Sequence, residues 1–400
     1  MDAGVTTPRD TVLAELAGRA RQMVPELKER AAAIDTARDV PADLMDKFVA
    51  AGFLKIFQPE RYGGYELDYG PVQLELAAEL GRGSGSCAWV VLVVACHSWM
   101  LGAFSRQAQD DVWANDPDAL MSSGVVPEPG GRGELTKGGA TISGRWRFSS
   151  GVSHAKWALL GCPIFGPNPG PPQMTWTLVP RSDFKIEDTW FVGGLAGTGS
   201  NDVVIEKAFV PEHRMVSFET LAMGAGPGGQ VNASHIYRLP LFPVFPYNIL
   251  APALGIALGA LETCTENVRK HPPRPMGPPT GGPDPLLLRL ADAGARIDAC
   301  SALLYRDARE LNDRARAGTL TAADAVRFQR NLSFTCGQFT EAMDSIAYIS
   351  GAHALFDGNP IQRAFRDMHA INSHIGLRWE GIAAGYLQTA LGLGGSGGKH

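Results

Sequence analysis

Gly358–His374, GNPIQRAFRDMHAINSH, is the stretch on which the reading of this chain turns. It is an arginine-containing helical segment entered from a small-residue loop, Ser350–His353 (SGAH). His369 and His374 are five residues apart, about 140° around a helix, so they do not form a metal-binding pair on one face. Asp367 and His374 are seven apart and fall on nearly the same face, about 10 Å apart along the axis. Imidazole exchanges protons near neutral pH. The residue that follows, Ile375, cannot.

Outside this stretch the chain has an ordinary globular composition. Its 400 residues exceed the usual size of one core, so two or three packed subdomains are expected. A hydrophobic share of 45% and a charged share of 19% fit a soluble protein. The net charge of −5 comes without a basic cluster, which gives no case for nucleic acid or an anionic membrane as partner. The apolar run Cys87–Cys96 (CAWVVLVVAC) is too short to span a bilayer. The opening MDAGVTTPRD lacks a hydrophobic signal region, which predicts a cytoplasmic location. Six cysteines without CxxC or metal-finger spacing read as reduced structural thiols.

The pattern divides the chain into helical, strand-rich and helical thirds, an α+β protein. Residues 1–119 are helical: Leu13, Leu16, Ala20, Met23, Val24 and Leu27 make one apolar stripe, and Asp35 to Gly52 repeats it. A turn-rich loop, Arg61 to Gly70, precedes a helix near 71–80, the apolar helix containing Trp89, and a short amphipathic piece at 107–113. In residues 120–218, Gly and Pro punctuate short β-branched or alternating runs, as in a small barrel or sandwich. Residues 219–392 are helical again, interrupted by the proline-rich loop His271–Pro285. Residues 393–400 read as a flexible tail.

In this order the chain resembles the acyl-CoA dehydrogenase superfamily along nearly its whole length. VPADLMDKFVAAGFLKIFQPERYGGYELD (residues 40–68) is similar to that superfamily's opening. In many of those enzymes Ile-Tyr-Glu-Gly follows the Arg-Asp pair, and its Glu removes the proton alpha to a thioester. Counted from Arg366, that Glu falls at Ile375, so dehydrogenation by that base is not expected. WRFSSGVSHAKW (146–157), GLAGTGSNDV (194–203) and IQRAFRDMHAINSH (361–374) resemble the superfamily's flavin-dependent branch, the oxygenase components of two-component aromatic hydroxylases. The resemblance implies an N-terminal helical domain, a central β-barrel domain and a C-terminal four-helix bundle. It also implies a homotetramer using reduced flavin (FMNH2 or FADH2) from a separate NAD(P)H:flavin reductase. O2 is the co-substrate, acting through a C4a-hydroperoxyflavin on a phenolic or polycyclic aromatic substrate. Within the fold, N- and S-oxygenases and the acyl-CoA dehydrogenases are the alternatives.

The candidate residues follow from both sources. Phe148, Ser149, Ser150 and Gly151 end a strand with hydroxyls and free N–H groups at a turn, which suits a flavin edge or simply joins two strands. By resemblance Ser150 sits by flavin N5. GGLAGTGSNDVVI precedes a strand instead of opening a helix, so it fails as a Rossmann loop; Thr198 and Ser200 are possible flavin contacts there, and Trp190 a possible cover. By resemblance His97 and Ser123 reach the substrate, against a core role for a lone histidine on an apolar helix. His374 is the chosen proton acceptor or hydrogen-bond partner of the substrate oxygen, with His369 as the other candidate. Arg363 and Arg366 read as structural, bracing Asp367. Arg274, near Arg269 and Lys270, is the candidate for the flavin phosphate, against a cationic helix end.

Overall fold

The computed structural model describes residues 8–271 and 284–392. The proline-rich segment with Arg274, and the tail predicted at 393–400, lie outside the described residues. Five helices open the chain: α1 (Pro8–Ala37), α2 (Ala42–Ala50), α3 (Pro71–Gly83), α4 (Gly85–Gly102) and α5 (Arg106–Trp113). The stripe on α1 is its inward edge. Leu16, Ala20 and Leu27 are buried and continue into Ala31 and Ile34. The last turns of α1 therefore belong to the same helix, and the second periodic segment begins only at α2.

α4 is the hub. Every one of its residues except Val93 is buried, so no polar face distinguishes it. Ser84 starts it by accepting the Cys87 N–H at 3.3 Å. Its 18 residues have a mean hydropathy of 1.5, enough by length and composition for a membrane span. Here they are 94% buried inside the protein, and the apolar stretch 241–270 is likewise largely buried. The run Cys87–Cys96 is thus the middle of a longer core helix.

Eight strands follow: β1 (Met121–Gly124), β2 (Arg132–Thr136), β3 (Gly139–Ser149), β4 (Trp157–Phe165), β5 (Gln173–Pro180), β6 (Lys185–Glu187), β7 (Asn201–Pro211) and β8 (Met215–Ser217). They form one mixed sheet in the order β6-β7-β3-β2-β4-β5-β8, with β1 parallel to β4. Among the described residues the path's ends, β6 and β8, do not pair. The predicted barrel is therefore an open path of strands, because local alternation fixes which residues form strands and not whether distant edges meet. Trp146, Leu160, Val203 and Ile205 fill this sheet's own core. The Trp146 indole donates to the Gly161 carbonyl at 2.7 Å.

Three short helices, α6 (Phe218–Ala222), α7 (Gly228–Val231) and α8 (Leu241–Val244), lead to α9 (Pro246–Lys270), α10 (Pro285–Ala317), α11 (Ala322–Ser350), α12 (Pro360–Asn372) and α13 (Trp379–Ala390). Among the described residues α9, α10, α12 and α13 all pack on α11, which makes a C-terminal helical domain. α12 ends at Asn372, and Ser373 closes it. His374 therefore lies past the helix, so the face it was expected to share with Asp367 does not exist.

Candidate active site

Four segments converge on the first half of α4. β3 loses register with β7 between Trp146 and Ser149, and there Phe148 adopts a φ of 64°. A non-glycine side chain in that region costs energy that its surroundings must supply. The Phe148 ring is nevertheless 68% exposed. The Ser150 N–H donates to the Phe148 carbonyl at 3.0 Å, making the turn tight, and Gly151 takes a φ of 66°. A Cβ on Gly151 would press against Val90 and Val94 of α4 at 3.2 Å. The turn thus lies directly on the helix.

A chain of hydroxyls leaves this turn. The Trp89 indole N–H donates to Ser150 Oγ at 3.0 Å. Ser150 Oγ is 2.7 Å from Ser200 Oγ, and Ser200 Oγ is 2.7 Å from Thr198 Oγ1. The Thr198 hydroxyl donates to the Leu195 carbonyl at 2.8 Å. That carbonyl also accepts the Trp190 indole N–H at 3.1 Å, and Trp190 meets the Phe148 ring edge-on at 6.0 Å. Ser150, Thr198 and Ser200 are all buried, so each of these contacts replaces water.

α12 grips the far end of this loop. Leu195, at a φ of 53°, donates its N–H to Asp367 Oδ1 at 2.6 Å. Gly194 packs so closely on the Arg366 carbonyl that a Cβ would come within 2.2 Å of it. Arg366 donates to the Gly193 carbonyl at 2.5 Å and to Asp35 at 2.7 Å, tying α12 to α1. Asp367 is fully buried, and desolvation pushes its carboxyl up to about 7 against the pull of the Leu195 N–H; Asp35 adds to the rise, while Arg366 and Arg363 oppose it. Burial also lowers the Arg363 guanidinium.

Two histidines approach from different sides. The chain turning out of α12 brings His374 to Trp89, with ring centroids 6.1 Å apart. His374 Nδ1 accepts the Gly376 N–H at 3.0 Å, so the neutral ring carries its hydrogen on Nε2. His97 is the opposite case. Its Nδ1 lies 2.7 Å from the Met121 carbonyl, which only accepts, so the hydrogen is on Nδ1 and Nε2 is a lone pair. That Nε2 is buried with no partner among the described residues, as are Ser122 Oγ and Ser149 Oγ. Desolvation lowers both imidazoles to about 4. At neutral pH one ring is an uncharged donor and the other an uncharged acceptor.

Ser123 is buried on β1, two residues after Met121, whose carbonyl His97 meets. The structure does not bring His369 into this group. Its ring rests on Phe365 at 4.4 Å and its Nε2 meets Asp344 at 2.9 Å on the exposed side of α12. Sequence reasoning did not give Trp89 or Asp367 a place in the site. The usable signal for Trp89 was an indole N–H on an apolar helix, which demands a buried acceptor. Among the described residues no group of three His, Cys, Asp or Glu side chains is placed to hold a metal, and the six cysteines are free and buried.

Known proteins share this fold and chain order. The description "Acyl-CoA dehydrogenase, N-terminal domain" matches residues 14–116, and "Acyl-CoA dehydrogenase, C-terminal domain" matches residues 247–379. The oxygenase subunit HsaA, a flavin-dependent monooxygenase of Rhodococcus jostii, is 36% identical over 88% of this chain and 92% of its own length. The chain belongs to the acyl-CoA dehydrogenase superfamily, in its branch of flavin-dependent two-component monooxygenases. The oxygenase component of an FADH2-dependent resorcinol hydroxylase from a Rhizobium species is 32% identical over 94% of both chains. The crystal structure of 3-HSA hydroxylase from Rhodococcus sp. RHA1 superposes with a TM-score of 0.88 at 34% identity, covering 94% of this chain and 97% of that one.

Proposed function

We propose that this chain is the oxygenase component of a two-component system, binding reduced flavin, FMNH2 or FADH2, made by a separate NAD(P)H:flavin reductase. With O2 it hydroxylates a phenolic or polycyclic aromatic substrate. The observation that carries the reading is the chemistry of the site. It presents an uncharged hydroxyl chain and two neutral imidazoles, while Ile375 stands exposed where a dehydrogenase would need its glutamate. The carboxylate present, Asp367, is fully buried and holds the Leu195 N–H.

The donor set fits an isoalloxazine. Ser149 has a buried hydroxyl without a partner among the described residues and Ser150 has a lone pair to spare, while Gly151 lets the turn that carries them sit directly on α4. Phe148, Ser149, Ser150 and Gly151 form the flavin edge in this reading, the Ser200 and Thr198 hydroxyls predicted as flavin contacts stand behind Ser150, and the exposed Phe148 ring with Trp190 forms the wall. Arg274 remains the candidate for the flavin phosphate. The bound reduced flavin supplies the electrons that activate O2. Everything else falls to the protein.

His97 receives the substrate hydroxyl at Nε2, with Ser123 beside it. The sequence reading made His374 either the proton acceptor or a hydrogen-bond partner of the substrate oxygen; the Gly376 N–H occupies its Nδ1 and leaves an N–H to offer, which supports the second role. In the present reading His374 donates to a substrate oxygen. A phenol of pKa about 10 facing an imidazole near 4 keeps its proton in the ground state. The hydrogen bond to His97 instead pushes electron density into the ring. The proton passes to Nε2 once oxygen transfer makes the hydroxyl strongly acidic. Burial of the His97 imidazole keeps water from competing there.

Exposed apolar side chains on α11, α13 and the α11–α12 connection, among them Tyr348, Leu355, Phe356 and Trp379, support a homotetramer. An acyl-CoA dehydrogenase reading predicts that octanoyl-CoA bleaches the oxidised flavin complex. The oxygenase reading predicts no bleaching, and bleaching at a catalytic rate would overturn it.

A further inference from the structure

The hydroxyl chain has a direction, and that direction fixes what Ser150 can offer a ligand. Four contacts run in series: Trp89 to Ser150, Ser150 to Ser200, Ser200 to Thr198, and Thr198 to the Leu195 carbonyl. The ends have no choice, because an indole N–H only donates and a carbonyl only accepts. Each hydroxyl has one hydrogen. All four contacts are made only if Thr198 donates to Leu195, Ser200 donates to Thr198, and Ser150 donates to Ser200. Reversing the chain so that the Ser150 hydrogen points outward forfeits the Thr198–Leu195 bond, one buried hydrogen bond, and leaves that carbonyl to the Trp190 indole and the Thr198 N–H.

Ser150 Oγ is thereby left as an acceptor. Its hydrogen is committed to Ser200, one lone pair takes the Trp89 N–H, and the other faces whatever binds over the turn. A ligand atom beside it must carry a hydrogen. Reduced isoalloxazine carries N5–H, whereas the oxidised ring presents a bare N5 lone pair.

We infer that Thr198 is a positioning residue that polarises Ser150, through Ser200, so that the site prefers reduced over oxidised flavin. The inference rests on the proposed placing of the flavin edge at Ser150 and extends it, since it assigns the choice of redox state to a residue two hydroxyls away. Asp367 supports the same device: its bond to the Leu195 N–H holds the carbonyl that sets the direction. This preference suits a protein that must collect reduced flavin from solution and release it once oxidised.

The test is equilibrium binding of FMN and of FAD, each oxidised and dithionite-reduced under anaerobic conditions, to the wild-type chain, Thr198→Val, Ser200→Ala and Thr198→Ser. No turnover is needed. The wild type should bind the reduced form more tightly. Thr198→Val leaves the chain free to reverse, and Ser200→Ala cuts it. Each should lower the ratio of oxidised to reduced dissociation constants by about tenfold, the worth of one buried hydrogen bond. Thr198→Ser, which keeps the hydroxyl, should retain the wild-type ratio. In the Ser200→Ala background, Thr198→Val should have no further effect on that ratio. An unchanged ratio in Thr198→Val and Ser200→Ala, both still binding flavin, would refute the relay and leave the flavin reading standing. Failure of the wild type to bind either redox form would bring down the flavin reading itself.

Discussion

At the scale of single residues the site is a matter of which atoms carry hydrogens. Ser150→Ala removes an acceptor from the flavin edge and should raise the H2O2 released per flavin oxidised by roughly tenfold, the cost of one hydrogen bond. A peroxide yield equal to that of the wild type would take Ser150 out of the site. His97→Ala and His374→Ala should each depress hydroxylated product by at least about tenfold while leaving reduced-flavin affinity within about twofold. An undiminished yield in either variant would strip that histidine of its role. The His97 lone pair is available above its lowered pKa and lost as pH falls through about 4. Its contribution should therefore stay flat from near-neutral to mildly acidic pH, and a decline centred near the ordinary imidazole value would contradict the buried geometry. These residue types were legible from the sequence: a Ser-Ser-Gly turn and a histidine on an apolar helix stand out in any reading. The tautomers were not, because they depend on the Met121 carbonyl and the Gly376 N–H, which only the fold brings into reach.

At the scale of elements, α12 and the Gly193–Ser200 loop act as one unit, joined by Asp367 and Arg366. Asp367 titrates near 7 in the folded chain against an ordinary 3.8. Between those values the folded state holds a proton that the unfolded state has lost, so stability falls as pH rises through the window. Asp367→Asn has no such titration. As pH drops from about 7.5 to 5, the Tm of the wild type should gain on that of the Asn variant by on the order of a few degrees; parallel Tm curves would show that the carboxyl is not desolvated. The strands from β1 to β8 are separated by Gly- and Pro-containing turns, and that punctuation is the signal the sequence offered for them. The end of α12 was not. No glycine or proline marks Asn372–Ser373, and extrapolating the helical period carried His374 onto a face it never joins. Sheet closure was equally invisible, since nothing local to β6 or β8 reports what lies beside it.

At the scale of the whole molecule, the proposed tetramer rests on the exposed apolar side chains of α11 and α13. Phe334 and Trp379 lie 6.3 Å apart and are each 45% exposed. A tetramer of this 42.7 kDa chain predicts a native mass near four times that value by light scattering, and Trp379→Glu should shift the population to smaller species. A monomeric wild type at micromolar concentration would refute the assembly. The central claim concerns the reaction. The most direct test mixes the anaerobic complex of chain and reduced flavin with 18O2 in the presence of resorcinol, 4-hydroxyphenylacetate or a steroid-derived phenol, and weighs the products by mass spectrometry. The account predicts at least one hydroxylated product carrying a single 18O atom, formed without reductase in a single turnover. Quantitative release of H2O2 at the rate of free reduced flavin, with no labelled product from any of the phenols, would contradict it.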